Sequence, residues 1–354
     1  MVGLRTFWAY EREMKTINVN GGIEVQSVTT CYLCGAEGHI LYGNLRDRLF
    51  GAPGEWNLKK CPDAKCGLIW LDPMPVEADL HKVYENYYTH YASPNSIDPV
   101  KTQSVRGKPF RLLLKLGYQV LLHLAGMSQG LGQARLDASM MYLAKNNPGT
   151  LLDVGCGDGS FLARMELLGW DVKGVDIDHE SARIAHETFG VPVYVGTLQG
   201  AKYPDACFNA ITMSHVIEHV YDPITLLTES YRILKPGGSL VVVTPNIASF
   251  GHRHFERNWR GLEPPRHLHL FSRSTIENIA NRAGIQKIAT WTSPANAEWL
   301  ALASIDFQAS GYHMNGHVAP LSKRIASSWF QIKAVRYFRN NPDSGEELFL
   351  KATK

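Results

Sequence analysis

Residues 151–162, with the sequence LLDVGCGDGSFL, combine an apolar run, three glycines at alternate positions and the start of an amphipathic segment. This order predicts a strand, a tight turn and a helix. Glycine permits unusual backbone angles and lets a ligand approach the backbone closely. The free N–H groups at the start of the helix can bind a polar ligand. The stretch therefore indicates a binding turn for a polar cofactor.

A carboxylate follows this turn at a spacing that suits a nucleoside ligand. A second short apolar stretch ends near Asp176, which lies 23 residues after Asp153. In a βαβ unit, this acid would lie at the tip of the next strand and accept hydrogen bonds from ribose hydroxyls. Nicotinamide-binding proteins share this layout, so the acid alone does not identify the cofactor. The Gly-x-Gly-x-Gly spacing, however, is neither the dinucleotide fingerprint nor a P-loop.

Four of the six cysteines fall in the first 70 residues as two close pairs, Cys31 with Cys34 and Cys61 with Cys66. A glycine follows each pair, so two turns can present four thiolates to one tetrahedral Zn²⁺. Because the chain shows no secretory signal, the pattern favours metal binding over disulfides. Four thiolates leave no open coordination position, so the sequence predicts a structural zinc in a zinc-ribbon-like module.

A zinc ribbon can also bind nucleic acid, but the sequence gives little support for that partner. Lys59, Lys60 and Lys65 form the only obvious basic cluster near the cysteines, Asp63 interrupts it, and the chain's net charge is only +3. Nucleic-acid binding is therefore not expected. Two alternatives stay open for the module: a metal-stapled cap that shapes the acceptor pocket, and four unrelated reduced cysteines.

Four motifs occur in a fixed order along the chain: Asp153–Gly159, Gly174–Asp176, Ser214–Pro223 and Leu234–Gly238. Together they resemble the class I S-adenosylmethionine (SAM)-dependent methyltransferases, over roughly residues 140–293 and the last strand. The resemblance implies an α/β fold with a Rossmann-like, seven-stranded, doubly wound sheet and SAM as the cofactor.

The same resemblance implies which positions contact SAM. They belong to the glycine turn, the tip of the second strand, an adenine-contacting position after the third strand, and the end of the fourth strand. These positions are Asp153, Gly155, Cys156, Gly157, Asp158, Gly159, Asp176, Ile177, Thr197, Leu198, Ser214 and His215.

Methyl transfer to a hydroxyl needs the donor and acceptor held in line and a base that removes the acceptor's proton. The candidate bases are Glu218, His219, His267 and His269. Histidine suits this role because it titrates near neutral pH. The stretch 263–272 also resembles the Pro-Arg-His-x-His-x-Phe-Ser segment of methyltransferases that act on small molecules, quinones and sugars. Alternatively, these histidines have the structural role of bonding backbone groups in turns.

A divalent metal is a further alternative at this site. On a helix, His215, Glu218 and His219 would share one face and, with His267 or His269, could ligate a cation. Ubiquinone-type O-methyltransferases and small-RNA ribose methyltransferases use a Glu-x-x-Glu-His pattern in this way. This chain has His215 where that pattern has its first glutamate, which weakens the comparison.

The elements that must position these residues follow from alternating apolar strands and amphipathic helices, which predict a parallel, doubly wound sheet. Ligands bind such sheets at the carboxyl ends of the strands. The predicted strands, the last of them antiparallel, are 150–154, 172–177, 193–195, 210–213, 239–244, 285–292 and 347–352.

Three segments are predicted: a zinc-ribbon-like module over 1–72, a helical linker or cap over 73–135, and the SAM-binding core over 136–354. The core carries insertions at 247–272 and 293–344. Insertions of this kind lie over the active site and define the acceptor.

Residues 110–126 are almost entirely apolar apart from one narrow polar stripe. Such a helix is too short to span a bilayer and is either a core or interface helix, or a contact to something apolar. The second reading allows a lid over a lipid-linked acceptor or a peripheral contact with a membrane.

The first 15 residues lack the apolar stretch of a signal peptide, and no run of 18 uncharged apolar residues occurs. We therefore expect a cytoplasmic protein, with peripheral membrane contact as the alternative. The expected function is SAM-dependent methylation of an oxygen or carbon of a sugar, glycan or related small metabolite. The alternatives are O-methylation of a lipid-linked or quinone-like acceptor, and a zinc-ribbon scaffold whose SAM domain is a sensor. The oligomeric state stays open.

Overall fold

The computed structural model describes residues 16–19, 22–85, 131–313 and 319–354. The apolar segment 110–126 lies outside these described residues. Within them, no helix has both the length and the apolar character needed to cross a membrane.

The described residues form fourteen strands: β1 Thr16–Val19, β2 Ile23–Gln26, β3 His39–Leu45, β4 Trp56–Lys60, β5 Ile69–Asp72, β6 Met74–Pro75, β7 Thr150–Val154, β8 Asp171–Asp176, β9 Val193–Val195, β10 Phe208–Ser214, β11 Leu234–Pro245, β12 His269–Leu270, β13 Ile288–Ser293 and β14 Glu347–Thr353. Their α-helices are α1 Leu131–Ser139, α2 Ser160–Leu167, α3 His179–Phe189, α4 Pro223–Ile233, α5 Phe250–Phe255, α6 Arg273–Arg282, α7 Ala297–Ala309 and α8 Leu321–Asn340. Short 3-10 helices cover Glu77–Tyr84, Ile217–His219, Glu256–Asn258 and Arg260–Leu262.

Seven strands form the central sheet, in the order β13-β14-β11-β10-β7-β8-β9. Neighbouring strands from β11 to β9 are parallel, whereas β14 runs antiparallel to both β11 and β13. The predicted seven-stranded α/β fold, with an antiparallel strand at the end of the chain, is confirmed. Its central strands are buried on both faces, as β7 and β11 show, because helices cover both sides of such a sheet.

The insertion after β11 joins the N-terminal module to the core, which was not predicted. It contains α5, two 3-10 helices and β12. His269 and Leu270 of β12 pair antiparallel with Trp70 and Ile69 of β5. The insertion thereby completes the four-stranded sheet β12-β5-β4-β3. The residues beside the candidate histidines are therefore held in place by the module that carries the cysteines.

Buried charges reinforce this junction. The Arg266 guanidinium, which is inaccessible to solvent, donates to both carboxylate oxygens of Asp47 at 2.8 Å and to Glu263 at 3.0 Å. Arg260 also pairs with Glu263, at 2.6 Å, and the ring of Phe50 lies under Arg266. Two cations and two anions balance each other, which is the condition for burying charge without a large penalty.

We expect Asp47→Asn to lower the free energy of unfolding by about 3–5 kcal/mol, because it leaves a buried guanidinium without its full countercharge. The matched control is Glu55→Gln, which breaks the solvent-exposed ion pair with Arg46 and is expected to cost less than about 1 kcal/mol. Urea unfolding followed by circular dichroism measures both. Equal, small losses for the two variants would contradict the role given to the buried network.

Candidate functional site

The turn after β7 is built from three glycines with left-handed backbone angles, at φ 70° for Gly155, 52° for Gly157 and 74° for Gly159. A Cβ on Gly155 would collide with Val216, and one on Gly159 would lie 2.7 Å from the Cβ of Ala185. A Cβ on Gly157 would meet nothing within 4 Å. No side chain fits at Gly155 or Gly159 because neighbouring residues pack against them. Gly157, by contrast, faces open space that a ligand can enter.

Asp176, at the end of β8, is fixed beside this open space. Its Oδ2 accepts from the N–H of Gly157 at 2.8 Å, and its Oδ1 accepts from the N–H of Asp178 at 2.9 Å. Each carboxylate oxygen keeps acceptor capacity for a hydroxyl. Burial raises the pKa of Asp176, and the two backbone N–H groups oppose that rise. The next side chain, Ile177, is 62% exposed and offers an apolar surface beside the carboxylate.

Other predicted cofactor positions support the turn from within. Asp153 is buried, and its carboxylate accepts from the Thr212 hydroxyl at 2.6 Å, which ties β7 to β10. Burial raises the pKa of Asp153 to about 7. Cys156 is buried, and Asp158 accepts from the N–H of Ser160 at 3.0 Å at the start of α2. The buried side chains of Asp153 and Cys156 thus support the turn from inside the protein, and the half-buried Asp158 fixes the start of α2.

The remaining predicted positions lie along the same edge. The N–H of Gly196 donates to the carbonyl of Asp176 at 2.8 Å and so brings the Thr197 segment to the end of β8. Leu198 is buried below this edge, and Ser214 is exposed at the end of β10. The ends of β7, β8 and β10 thus gather the predicted cofactor residues in one place. Their contacts with SAM stay a prediction.

His215 does not share a helical face with Glu218 and His219, so that expectation is wrong. Its backbone is left-handed, at φ 56°, and the following 3-10 helix covers only Ile217–His219. Its Nδ1 nevertheless lies 3.2 Å from Glu218, and its Nε2 lies 3.7 Å from Glu347. Desolvation lowers the pKa of His215, but the two carboxylates outweigh it and raise that pKa to about 10.

Glu218, His219 and His267 converge. One candidate ligand atom from each lies within 4.8 Å of the others, and the two imidazole rings meet edge to face at 4.8 Å between centroids. His269 is not part of this group; its Nδ1 contacts the carbonyl of Val220 at 3.1 Å. The structure therefore brings together three of the four predicted catalytic residues.

Backbone carbonyls determine the tautomer of each of the two converging histidines, His219 and His267. Nδ1 of His219 lies 3.0 Å from the carbonyl of Arg266, and Nδ1 of His267 lies 2.8 Å from that of Gly261. A carbonyl can only accept, so each Nδ1 carries the hydrogen and each Nε2 keeps a lone pair. Burial lowers the pKa of both, that of His267 to about 4. Near neutral pH, the group offers two uncharged imidazoles that can accept a proton or a cation.

Two further side chains complete the site. The hydroxyl of Tyr84 lies 3.0 Å from Nδ1 of His219. Glu347 begins β14 and faces His215. Tyr84 is the last residue of the 3-10 helix Glu77–Tyr84. Glu347 was missed, although an antiparallel last strand must begin at the carboxyl edge of its parallel neighbours.

The four N-terminal cysteines form a second cluster. The Sγ atoms of Cys31 and Cys66 lie 3.5 Å apart, and those of Cys34 and Cys61 lie 3.4 Å apart. These distances exceed the roughly 2 Å of a disulfide. All four sulfur atoms lie within 4.8 Å of one another. The arrangement fits a single tetrahedral cation with four thiolate ligands.

The central part of the chain is similar to known proteins. Residues 129–290 match a family model described as a methyltransferase domain. The mitochondrial ubiquinone biosynthesis O-methyltransferase of Rattus norvegicus is 36% identical over 105 residues, which cover 27% of this chain and 30% of that protein. The ubiquinone biosynthesis O-methyltransferase of Xanthomonas oryzae is 33% identical over 102 residues, which cover 27% of this chain and 43% of that protein. The chain thus spans less than half the length of these relatives.

Among solved structures, a SAM-dependent methyltransferase from Archaeoglobus fulgidus has a TM-score of 0.43 at 20% identity, covering 67% of this chain and 99% of that one. The family match includes the glycine turn, Asp176, Glu218, and the two converging histidines, His219 and His267. Residues 129–290 of this chain are thus similar to a methyltransferase domain.

Proposed function

We propose that this chain is a SAM-dependent methyltransferase that modifies an oxygen of a small acceptor. The observation that carries the proposal is the open glycine turn beside Asp176, within a matched methyltransferase domain. The convergence of Glu218, His219 and His267 near the end of β10 supports an acceptor that must lose a proton.

The residues of the turn fit the parts of SAM. Asp176 would accept hydrogen bonds from the ribose hydroxyls, and Thr197 and Leu198 would contact the adenine. The backbone around Gly157 would face the polar remainder of the molecule. When bound, SAM supplies an electrophilic methyl group. The chain's own contribution is to orient the acceptor and to receive its proton.

We assign proton acceptance to His219. Its Nδ1 is occupied by the Arg266 carbonyl, which leaves Nε2 as the acceptor. The charge of Glu218 favours the imidazolium that would form, because a carboxylate close to an imidazolium stabilises it. The same three side chains would be the ligands if the reaction used a divalent cation, which would activate the acceptor oxygen as a Lewis acid.

The acceptor class has two candidates. The first is an oxygen or carbon of a sugar, glycan or related small metabolite, the class expected from the sequence. The second is the hydroxyl of a quinone-like or lipid-linked molecule, and the similarity to two ubiquinone biosynthesis O-methyltransferases favours it. An oxygen acceptor of either class presents a hydroxyl to one base, so the site chemistry is shared for O-methylation.

An acceptor search distinguishes them. The purified chain is incubated with methyl-labelled SAM and cell extract, which is then divided into aqueous small molecules and glycans, organic lipids, RNA and protein. Label in the aqueous fraction supports the first candidate, and label in the organic phase supports the second. SAM binding without label in any fraction would contradict the proposed methyltransferase activity and favour a role as a sensor or scaffold.

We also propose that the four cysteines hold one structural Zn²⁺. Burial raises the pKa of Cys31, Cys61 and Cys66 to about 11, so these thiols would stay protonated without a cation. A bound zinc ion displaces those protons and thereby contributes to folding stability.

Cys31→Ser should abolish stoichiometric zinc and lower the melting temperature, because a structural zinc site needs all four thiolates. Cys207→Ser is the matched control, since this cysteine lies outside the cluster. Metal analysis of purified protein measures zinc per chain. A full zinc content in Cys31→Ser would overturn the assignment.

Gly157→Ala should weaken SAM binding by roughly tenfold or more, because an added methyl costs on the order of 1–3 kcal/mol where a ligand fills the space. Gly237→Ala is a matched control. Both glycines are left-handed, and a Cβ on either meets nothing within 4 Å. The two variants therefore carry comparable backbone strain, and only the first adjoins Asp176. Calorimetric titration that finds the same affinity for both would rule out this turn as the SAM site.

His219→Gln should lower kcat by about 10²-fold or more while the Kd for SAM stays unchanged, because the loss falls on proton acceptance. His252→Gln is the control, since the Nδ1 of His252 also contacts a carbonyl, that of Ile247, at 2.7 Å, outside the converging group. Single-turnover kinetics with saturating SAM measure the effect. An equal kcat in both variants would exclude His219 as the base.

A further inference from the structure

Helix α8 presents an apolar stripe to solvent. The exposed fractions are 70% for Leu321, 51% for Ile325, 59% for Trp329 and 43% for Ile332. Their spacing of four, four and three residues places them on one face of the helix. A continuous stripe of large apolar side chains differs from the scattered exposed residues of an ordinary surface and marks an interaction site.

The opposite face anchors the helix. Phe330 is buried and packs on Phe250 and Phe255, with ring centroids 5.2 and 5.0 Å apart. The side-chain amide of Gln331 donates to the carbonyl of Pro294 at 2.7 Å. Because this face is fixed in the core, the apolar stripe cannot turn inward without breaking these contacts.

Positive charge surrounds the stripe. Helix α8 contains five Lys or Arg residues and no Asp or Glu. Lys323 is paired with Asp306. The other four form no ion pair with any residue in the described ranges; they are Arg324, Lys333, Arg336 and Arg339. Lys and Arg around a face of Trp, Ile and Leu is the pattern of a helix that lies in the interface of an anionic membrane.

A second tryptophan extends the surface. Trp299 of α7 is 59% exposed. Its neighbour Glu298 accepts a hydrogen bond from Ser328, which precedes Trp329, at 2.7 Å. The carboxylate of Glu298 also lies 3.9 Å from Arg135. The acid nearest the stripe is thus partly neutralised, and α7 adds aromatic surface beside α8.

The basic charge of α8 decides which of three possible partners this surface fits: another segment of the chain, a second copy of the chain, or a lipid bilayer. Residues 86–130 of the same chain carry five Lys or Arg and a single Asp, so like charges would oppose their docking on α8. A second copy would present the same basic helix. We propose that α8, together with Trp299, docks on an anionic lipid bilayer, with the apolar stripe inserted and the four cations at the headgroups.

The docking surface is connected to the candidate site. Asn296, directly before α7, donates to Glu347 at 2.8 Å, and Glu347 faces His215. Helix α7, which carries Trp299, therefore begins at the sheet edge where the acceptor would bind. Docking itself is independent of the proposed reaction and is measured without turnover.

Vesicle co-sedimentation of the full chain tests this proposal. Vesicles of neutral phosphatidylcholine are compared with vesicles that also contain phosphatidylglycerol, at low and high salt. We expect binding to the anionic vesicles alone and its loss at high salt, because electrostatic attraction is screened. Absence of binding to anionic vesicles, or equal binding to both kinds, would overturn the proposal.

Two variants test the surface itself. Lys333→Glu with Arg336→Glu should weaken partitioning at least tenfold, since each basic side chain near an anionic surface contributes roughly fivefold. Ile325→Ser with Trp329→Ser should do the same by removing the inserted stripe. The control, Lys173→Glu with Lys287→Glu, makes the same charge change at two exposed lysines outside α8 and should bind vesicles almost as the parent does.

Two controls exclude misfolding and a change of oligomeric state as causes of weaker vesicle binding. Each variant must match the parent in its thermal melt and in SAM binding, which the proposal expects because the changed side chains are exposed. Unchanged vesicle binding in both α8 variants would contradict the proposal. So would a parent that sediments as a dimer and an Ile325→Ser, Trp329→Ser variant that sediments as a monomer, because the stripe would then be a subunit interface.

Discussion

One hydrogen bond, from the N–H of Gly157 to the carboxylate of Asp176, organises the candidate cofactor site. It joins the turn after β7 to the end of β8 and leaves a backbone segment without a Cβ facing open space. That geometry requires the parallel sheet, since only parallel neighbours bring both strand ends to one edge. The buried contact between Asp153 and Thr212 extends the same edge to β10, where the converging histidines begin.

The N-terminal module and the core depend on each other. Strand β12, which begins at His269, two residues after His267, pairs with β5 of the module. The buried ion pair between Asp47 of the module and Arg266 of the insertion joins the same two parts of the chain. The backbone carbonyl of Arg266 also contacts Nδ1 of His219. The cysteines, placed more than 150 residues before the histidines, lie in the same module as the paired strands β4 and β5. A zinc ion bound to them, as proposed, would stabilise this module and thereby the strand pairing beside the histidines.

The sequence predicted what local patterns determine. Alternating strands and helices, the glycine turn and the late antiparallel strand follow from residue spacing, and the structure contains all of them. The pairing of β12 with β5 could not be predicted, because a two-residue strand has no periodicity and its partner is about 200 residues away. The face assumed for His215, Glu218 and His219 was wrong because a left-handed residue precedes a single 3-10 turn. The exposed stripe of α8 was also missed, because apolar residues occur on both of its faces, and sequence does not tell which face is covered.

The proposed function depends most on the identity of the ligand at the glycine turn. The most direct measurement is calorimetric titration of the full chain with SAM, with S-adenosylhomocysteine and with NAD. We expect one SAM per chain, competition by S-adenosylhomocysteine at the same site, and no heat from NAD. Binding of NAD in place of SAM, or no binding of SAM, would contradict the proposed function.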